Sequence, residues 1–297
     1  MTGARGDRAA ILALLACALA ACGGAEGDAV DAASGDGDGD VMVDARPTAG
    51  CAATGATGGV HDERISVRDT ERSYLVAVPA DYTTAQSYAV VFAWHGRGSN
   101  AAQARAYFGV EAQAAGAALV VYPQGLGLNG NPSDTGWDLA SDGDDVALFD
   151  AILAAIEAEY CVDLDRVFST GHSFGGFMSN QLGCARGDVL RAVAPVAGGG
   201  PYGGCTGDPV AALVIHGSQD TVVVPAMGEG SRDHWLSANG CGTGTTPTEP
   251  APCVAYAGCG AAPVHWCLHD ESDAFLAGHT WPSFAAQSIW AFFAALE

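Results

Sequence analysis

Positive charge is scarce in this chain: 12 Lys and Arg stand against 34 Asp and Glu in 297 residues, for a formal net charge of −22. So acidic a chain is a poor partner for nucleic acid, whose phosphates repel it. Metal-binding patterns are also lacking. His61, His234, His265 and His269 form no helical i, i+4 ligand pair and have no Cys-x-x-Cys beside them, so no metal is expected, and nothing implies another cofactor. Large apolar residues are almost absent from residues 23–48, which are mainly Gly, Ala and Asp and cannot bury enough surface to fold. The run Asp36-Gly37-Asp38-Gly39-Asp40 has the spacing that opens a calcium loop. Such a loop would need glycine at 41 and glutamate at 47, where Val41 and Pro47 stand. Residues 22–50 therefore read as a solvated acidic tether, extended by its own charge.

A stretch able to remain in a bilayer is missing as well. After Arg5 and Arg8, residues 9–21 are apolar but short and rich in small residues, ending Leu19-Ala20-Ala21-Cys22. This reads as a lipoprotein signal over residues 1–21, cut before Cys22 and acylated on its thiol; a plain signal peptide cut nearby is the alternative. Either form puts the mature chain outside the cytoplasm, lipid-anchored to a bacterial envelope or cell surface, or else secreted. Beyond Cys22 there are eight cysteines, at 51, 161, 184, 205, 241, 253, 259 and 267. An even number in an exported chain predicts disulfides, though eight cysteines allow 105 pairings.

What is present is a single α/β pattern over residues 51–297. Residues 89–94, 119–122, 166–170, 192–196 and 211–215 read as buried strands, and residues 74–78 as an edge strand. Helices are expected over 100–117, from Asp144 or Asp145 as cap, from Phe174, and over 284–296. Strands alternating with helices imply a mostly parallel sheet covered on both faces.

The chemistry gathers at Gly171-His172-Ser173-Phe174-Gly175, a G-x-S-x-G pentapeptide between an apolar strand and a helix. That order holds a serine on a tight turn above the sheet, with the helix N-terminus aimed at a developing oxyanion. Ser173 is the candidate nucleophile. Two further strand ends complete the order Ser, Asp, His: Leu213-Val214-Ile215-His216-Gly217-Ser218-Gln219-Asp220, and Gly278-His279-Thr280-Trp281-Pro282. Asp220 is the candidate orienting acid and His279 the candidate base. His95, His172 and His216 read as packing or hydrogen-bonding residues.

With HGRGSN at 95–100, VVYPQG at 120–125, the run from Tyr160 through Gly176, IHGSQDTVVVP at 215–225 and GHTWP at 278–282, the chain resembles the polyhydroxybutyrate depolymerase-like and feruloyl esterase group of carbohydrate esterase family 1, over roughly residues 60–297. The resemblance implies an α/β-hydrolase fold and the triad Ser173, Asp220, His279. Together with fold position it implies an oxyanion hole from the backbone N–H groups of Arg97 and Phe174. One departure is Ala277, where such proteins often have glycine before the catalytic histidine.

The fourteen residues between Val196 and Ala211 leave no room for a helical lid, so an open cleft is expected. The long loop from Gln124 to Gly143 suggests function by its length, and Trp137 and Trp281 are candidates for lining an aromatic acyl pocket. Cys161 precedes the strand to Ser173 and Cys184 lies near the end of the helix leaving it, so a Cys161–Cys184 disulfide is expected. The combined expectation is an exported, monomeric serine esterase. Its substrates would be feruloyl or acetyl esters of plant xylan, or alternatively short polyhydroxyalkanoates. A non-catalytic surface binding protein is the reading from a different class.

Overall fold

Seven consecutive residues, Tyr88–Trp94, are buried without exception, as are Ala118–Pro123, Ala192–Val196 and Ala211–Gly217. Continuous burial of this kind marks strands covered on both faces. In the computed structural model, which describes residues 48–296, they form the centre of one ten-stranded sheet. The strands are β1 (Gly59–Val67), β2 (Thr70–Val78), β3 (Tyr88–Trp94), β4 (Ala118–Pro123), β7 (Val162–His172), β8 (Ala192–Val196), β9 (Ala211–Gly217), β10 (Thr245–Pro247), β11 (Cys253–Tyr256) and β12 (Val264–His269). Their order is β1-β2-β4-β3-β7-β8-β9-β12-β11-β10. Neighbours from β4 to β12 run parallel, and the outer pairs at both ends run antiparallel. The signal segment 1–21, Cys22 and most of the tether lie outside the described residues.

Side-chain alternation along β3 sorts the core into two layers. Val90, Phe92 and Trp94 face one layer with Phe149, Ile152, Met178, Leu182 and Trp235, from helices α3 (Asp144–Glu159), α4 (Phe174–Ala185) and α5 (Pro225–Ala238). Ala89, Val91 and Ala93 face the other, with Phe108, Val110, Ile289 and Phe293 from α1 (Ala101–Phe108), α2 (Val110–Ala114) and α6 (Ala285–Ala294).

Several local expectations change. Residues 74–78 are not an edge strand: β2 pairs with β1 on one side and β4 on the other. The true edge, β1, reads His-Asp-Glu-Arg through its middle, the charge that guards an edge against further pairing and that hides a strand from a search for apolar runs. The expected helix over 100–117 breaks at Gly109, whose φ of 68° ends α1 and opens α2. The loop from Gln124 to Gly143 holds a hairpin, β5 (Leu126–Leu128) and β6 (Asn131–Gly136), turned through Asn129 and Gly130 at φ 51° and 77°. An Asn-Gly pair is the turn chemistry that such a hairpin requires. Neither Asp144 nor Asp145 caps α3. The cap is Gly143, Asp138 accepts the Asp144 N–H, and Asp145 is buried against Arg72 at 2.5 Å.

The eight cysteines beyond Cys22 form four disulfides: Cys51–Cys161, Cys184–Cys205, Cys241–Cys259 and Cys253–Cys267. The expected Cys161–Cys184 bond is therefore incorrect. α4 does not return to the foot of its own strand but packs across β7 and β8. There the β8–β9 connection meets it, with the Thr206 and Gly207 N–H groups donating to the Cys184 carbonyl, and this puts Cys205 beside Cys184. Cys161 instead meets the helical turn Ala49–Ala52, where the Thr48 hydroxyl donates to the Tyr160 carbonyl and accepts from the Val162 N–H.

Candidate active site

Ser173 stands where β7 gives way to α4, with φ 55° and ψ −119°, a strained conformation that lifts the side chain clear of the sheet. The flanking glycines are sterically required. A Cβ on Gly175 would lie 1.9 Å from the Trp94 carbonyl oxygen, and one on Gly171 would lie 2.5 Å from that of Gly175. The Ser173 N–H donates to the Val196 carbonyl at 2.9 Å, which ties the turn to β8.

Asp220 follows β9 and His279 precedes α6, and a β-bridge between Asp220 and Ala277 brings their loops together. Asp220 is buried. Its Oδ1 accepts the N–H groups of Val222 and Val223 at 2.9 and 2.8 Å, and its Oδ2 accepts His279 Nδ1–H at 2.7 Å. With that proton placed, His279 Nε2 is free to accept the Ser173 hydroxyl, 2.9 Å away. The three side chains predicted from separate segments thus form one hydrogen-bonded chain.

Ala277 takes φ 50°. The left-handed region favours glycine, which accounts physically for a glycine preference at this position; here alanine occupies it at the cost of strain.

Two other histidines brace the triad, in the hydrogen-bonding and packing roles expected of them. His216 donates from Nε2 to the Val223 carbonyl at 2.8 Å and lies 3.4 Å from Asp220 Oδ2. The His172 ring centroid is 5.0 Å from that of His279. Burial holds His216 below the usual histidine range, and burial reinforced by the His279 charge holds His172 down to about 3.

The loop after β3 supplies the other wall. His95 is buried, donates from Nδ1 to the Gly96 carbonyl at 2.7 Å and accepts the Gly125 N–H at Nε2, 3.0 Å away. These two backbone partners set its tautomer, and burial holds its pKa down to about 4. In the same loop the Gly98 N–H donates to Thr135 and the Ser99 N–H to Gly96, while Phe174, first residue of α4, has no intrahelical acceptor for its N–H. The Arg97 side chain turns outward and grips Asp134 of β6 through two bonds of 2.7 and 2.6 Å, pinning the hairpin to the loop.

The cleft that opens here has a volume of about 680 Å³, and Ser173, His279, Arg97, Tyr107, Phe108 and Leu276 are among its lining residues. No helix forms between Val196 and Ala211, and the cleft is open as expected. Neither predicted tryptophan lines it. Trp137 lies buried behind the loop after β3, its indole N–H donating to the His95 carbonyl at 2.8 Å. Trp281 stacks at 4.2 Å on Phe108, so Tyr107 and Phe108 form the wall in its place, and the Tyr107 hydroxyl accepts the Trp281 backbone N–H at 3.0 Å. Sequence reasoning missed this pair; two adjacent aromatics ending an Ala-rich helix just before a glycine were the available signal. Among the described residues, no group of three or more His, Cys, Asp or Glu is arranged to hold a metal ion.

No protein-family model matches the chain. Feruloyl esterase D of Neurospora crassa is 32% identical over 272 residues, covering 81% of this chain and 91% of that protein. Feruloyl esterase C of Emericella nidulans is 35% identical over 240 residues, covering 75% and 84%. Among solved structures, an acetyl xylan esterase from Aspergillus awamori superimposes with a TM-score of 0.62 at 15% identity, covering 80% of this chain and 99% of that one, a likeness of fold. Fold and relatives together define a serine carboxylic ester hydrolase of the α/β-hydrolase type. The chain belongs to the feruloyl esterase family, and its four disulfides fit an exported protein.

Proposed function

We propose that the protein cleaves feruloyl or acetyl esters from plant cell-wall polysaccharide through an acyl-enzyme on Ser173. The observation that carries this reading is the Ser173–His279–Asp220 chain, with bonds of 2.9 and 2.7 Å, opening on a cleft walled by Tyr107 and Phe108. His279 takes the Ser173 proton as Oγ attacks the ester carbon, then gives it to the leaving alcohol, and Asp220 holds the imidazole tautomer and offsets its transient charge. Water, activated by the same histidine, releases the acid. The N–H groups of Arg97 and Phe174 receive the oxyanion, where loss of one donor typically costs about 3 kcal/mol of transition-state stabilisation. Feruloyl esterase relatives covering most of the chain support an aromatic acyl group. Acylation of Cys22, outside the described residues, would tether the enzyme to the envelope. A panel of methyl ferulate, acetylated xylan, p-nitrophenyl butyrate and hydroxybutyrate oligomers tests the substrate class. Release of ferulate or acetate is expected, and turnover of hydroxybutyrate oligomers alone would overturn the assignment.

A further inference from the structure

More than half of the large apolar side chains left in solvent gather around the active site. Of the nine among the described residues, Tyr107, Val222, Val224, Phe275 and Leu276 lie on the cleft or on the segments carrying Asp220 and His279. Phe275 stands out among them, with 93% of its surface exposed. A turn holds it there: Asp273 Oδ1 accepts the N–H groups of Phe275 and Leu276 at 2.8 and 2.6 Å, the Asp273 N–H donates to the Ala277 carbonyl at 3.0 Å, and the His279 N–H donates to Leu276 at 2.9 Å. Leu276, the residue after Phe275, lines the cleft, so the hydrogen-bonded turn that carries the ring borders it. Exposed apolar surface on a segment that borders a binding cleft is a candidate surface for a ligand.

We propose that Phe275 is a stacking platform for the sugar chain that bears the scissile ester, an inference that rests on the function proposed above. Direction follows from the chemistry: the histidine that protonates the leaving alcohol must lie on the alcohol's side, and Phe275 is four residues before His279 on the same loop. In a wall-polysaccharide ester the alcohol is the sugar. The apolar C–H face of a sugar ring matches a flat aromatic ring, and the sugar's hydroxyls remain in water. Charge narrows the class further. Asp270, Glu271 and Asp273 share the loop, and the two backbone N–H groups, Leu276's first, hold Asp273 below the usual carboxylate range. An ionised loop of this kind repels a polyuronate and admits an uncharged, xylan-type chain.

The test compares wild type, Phe275→Ala and Phe275→Tyr on methyl ferulate, a feruloylated arabinoxylan oligosaccharide and hydroxybutyrate oligomers, with p-nitrophenyl butyrate reporting an intact triad. Phe275→Ala is expected to lower kcat/KM on the oligosaccharide about tenfold, the scale of one aromatic contact. The loss should fall mainly in KM, methyl ferulate should stay within about twofold, and Phe275→Tyr should retain wild-type behaviour. Equal losses on both feruloyl substrates, no loss on the oligosaccharide, or a loss confined to hydroxybutyrate oligomers would each overturn the platform while leaving esterase function intact. Wild type that cleaves p-nitrophenyl butyrate but neither feruloyl substrate would overturn the platform, and if acetylated xylan is also left intact the proposed function falls with it.

Discussion

The parallel centre of the sheet and its C-terminal antiparallel margin are held together by different means. In β3, β8 and β9 every residue is buried, and the hydrophobic effect alone gives such strands their place, at roughly 25 cal/mol per Å² of apolar surface removed from water. Residues 239–263 are Gly, Ala, Thr and Pro for the most part, and β10 is exposed throughout. That margin instead carries two of the four disulfides, Cys241–Cys259 and Cys253–Cys267. Where the chain lacks apolar area, cross-links do the work of a core. The proposed chemistry is placed accordingly, with Ser173 and Asp220 at the ends of β7 and β9 and the loop of Arg97 at the end of β3.

Changes at the centre should therefore damage catalysis most. Ser173→Ala is expected to lower kcat by about 10⁶ while circular dichroism and melting temperature stay near wild type; activity within tenfold of wild type would remove Ser173 from its role. At the margin the order should invert. Replacing Cys241 and Cys259 together by serine should cost roughly 3 kcal/mol of stability on the chain-entropy account for a loop of that size, read by denaturant unfolding, with kcat on p-nitrophenyl butyrate within about twofold. A large kcat loss without unfolding would show that the margin shapes the site.

Acid should separate the two regions again. His95 and His172 are held at about 4 and 3 in the folded chain, against ~6.5 when unfolded. Between those values the unfolded chain binds more protons. The stability is therefore full above about pH 6.5 and is lost as pH falls toward 4 and then 3, at up to about 1.4 kcal/mol per pH unit for each group. Melting temperature should fall over that window, and a flat profile from pH 7 to 4.5 would contradict the buried neutral histidines. The smallest expected effect is a gain. Ala277→Gly removes left-handed strain of about 1–2 kcal/mol but returns part of it as unfolded-chain entropy. A rise of no more than about 1 kcal/mol is expected, with kcat unchanged; a destabilised variant would deny the strain.

Much of the site was legible because its signals are local. Ser173 and Asp220 each sit just past an apolar run that ends in a turn, His279 sits in a turn before the last helix, and the chain order of the three follows from the fold that such runs imply. The hairpin at Asn129-Gly130 is equally local, yet it has the look of a loop in the sequence because β6, Asn-Pro-Ser-Asp-Thr-Gly, has no apolar alternation. Disulfide partners, the Arg97–Asp134 clamp and the true cleft wall were not local. Each depends on which segments meet after the helices dock: α4 crossing to the β8–β9 connection, the hairpin folding onto the loop after β3, and Trp281 settling behind Phe108. Sequence alone determined the six strands from β2 to β9 outside the hairpin, the residues at their ends and the class of chemistry, because burial and turn geometry are written within a few residues of each position. The cysteine pairing, the aromatic lining and the exposed ring at Phe275 were decided only in three dimensions, because they depend on contacts between segments far apart in the chain that no local pattern encodes.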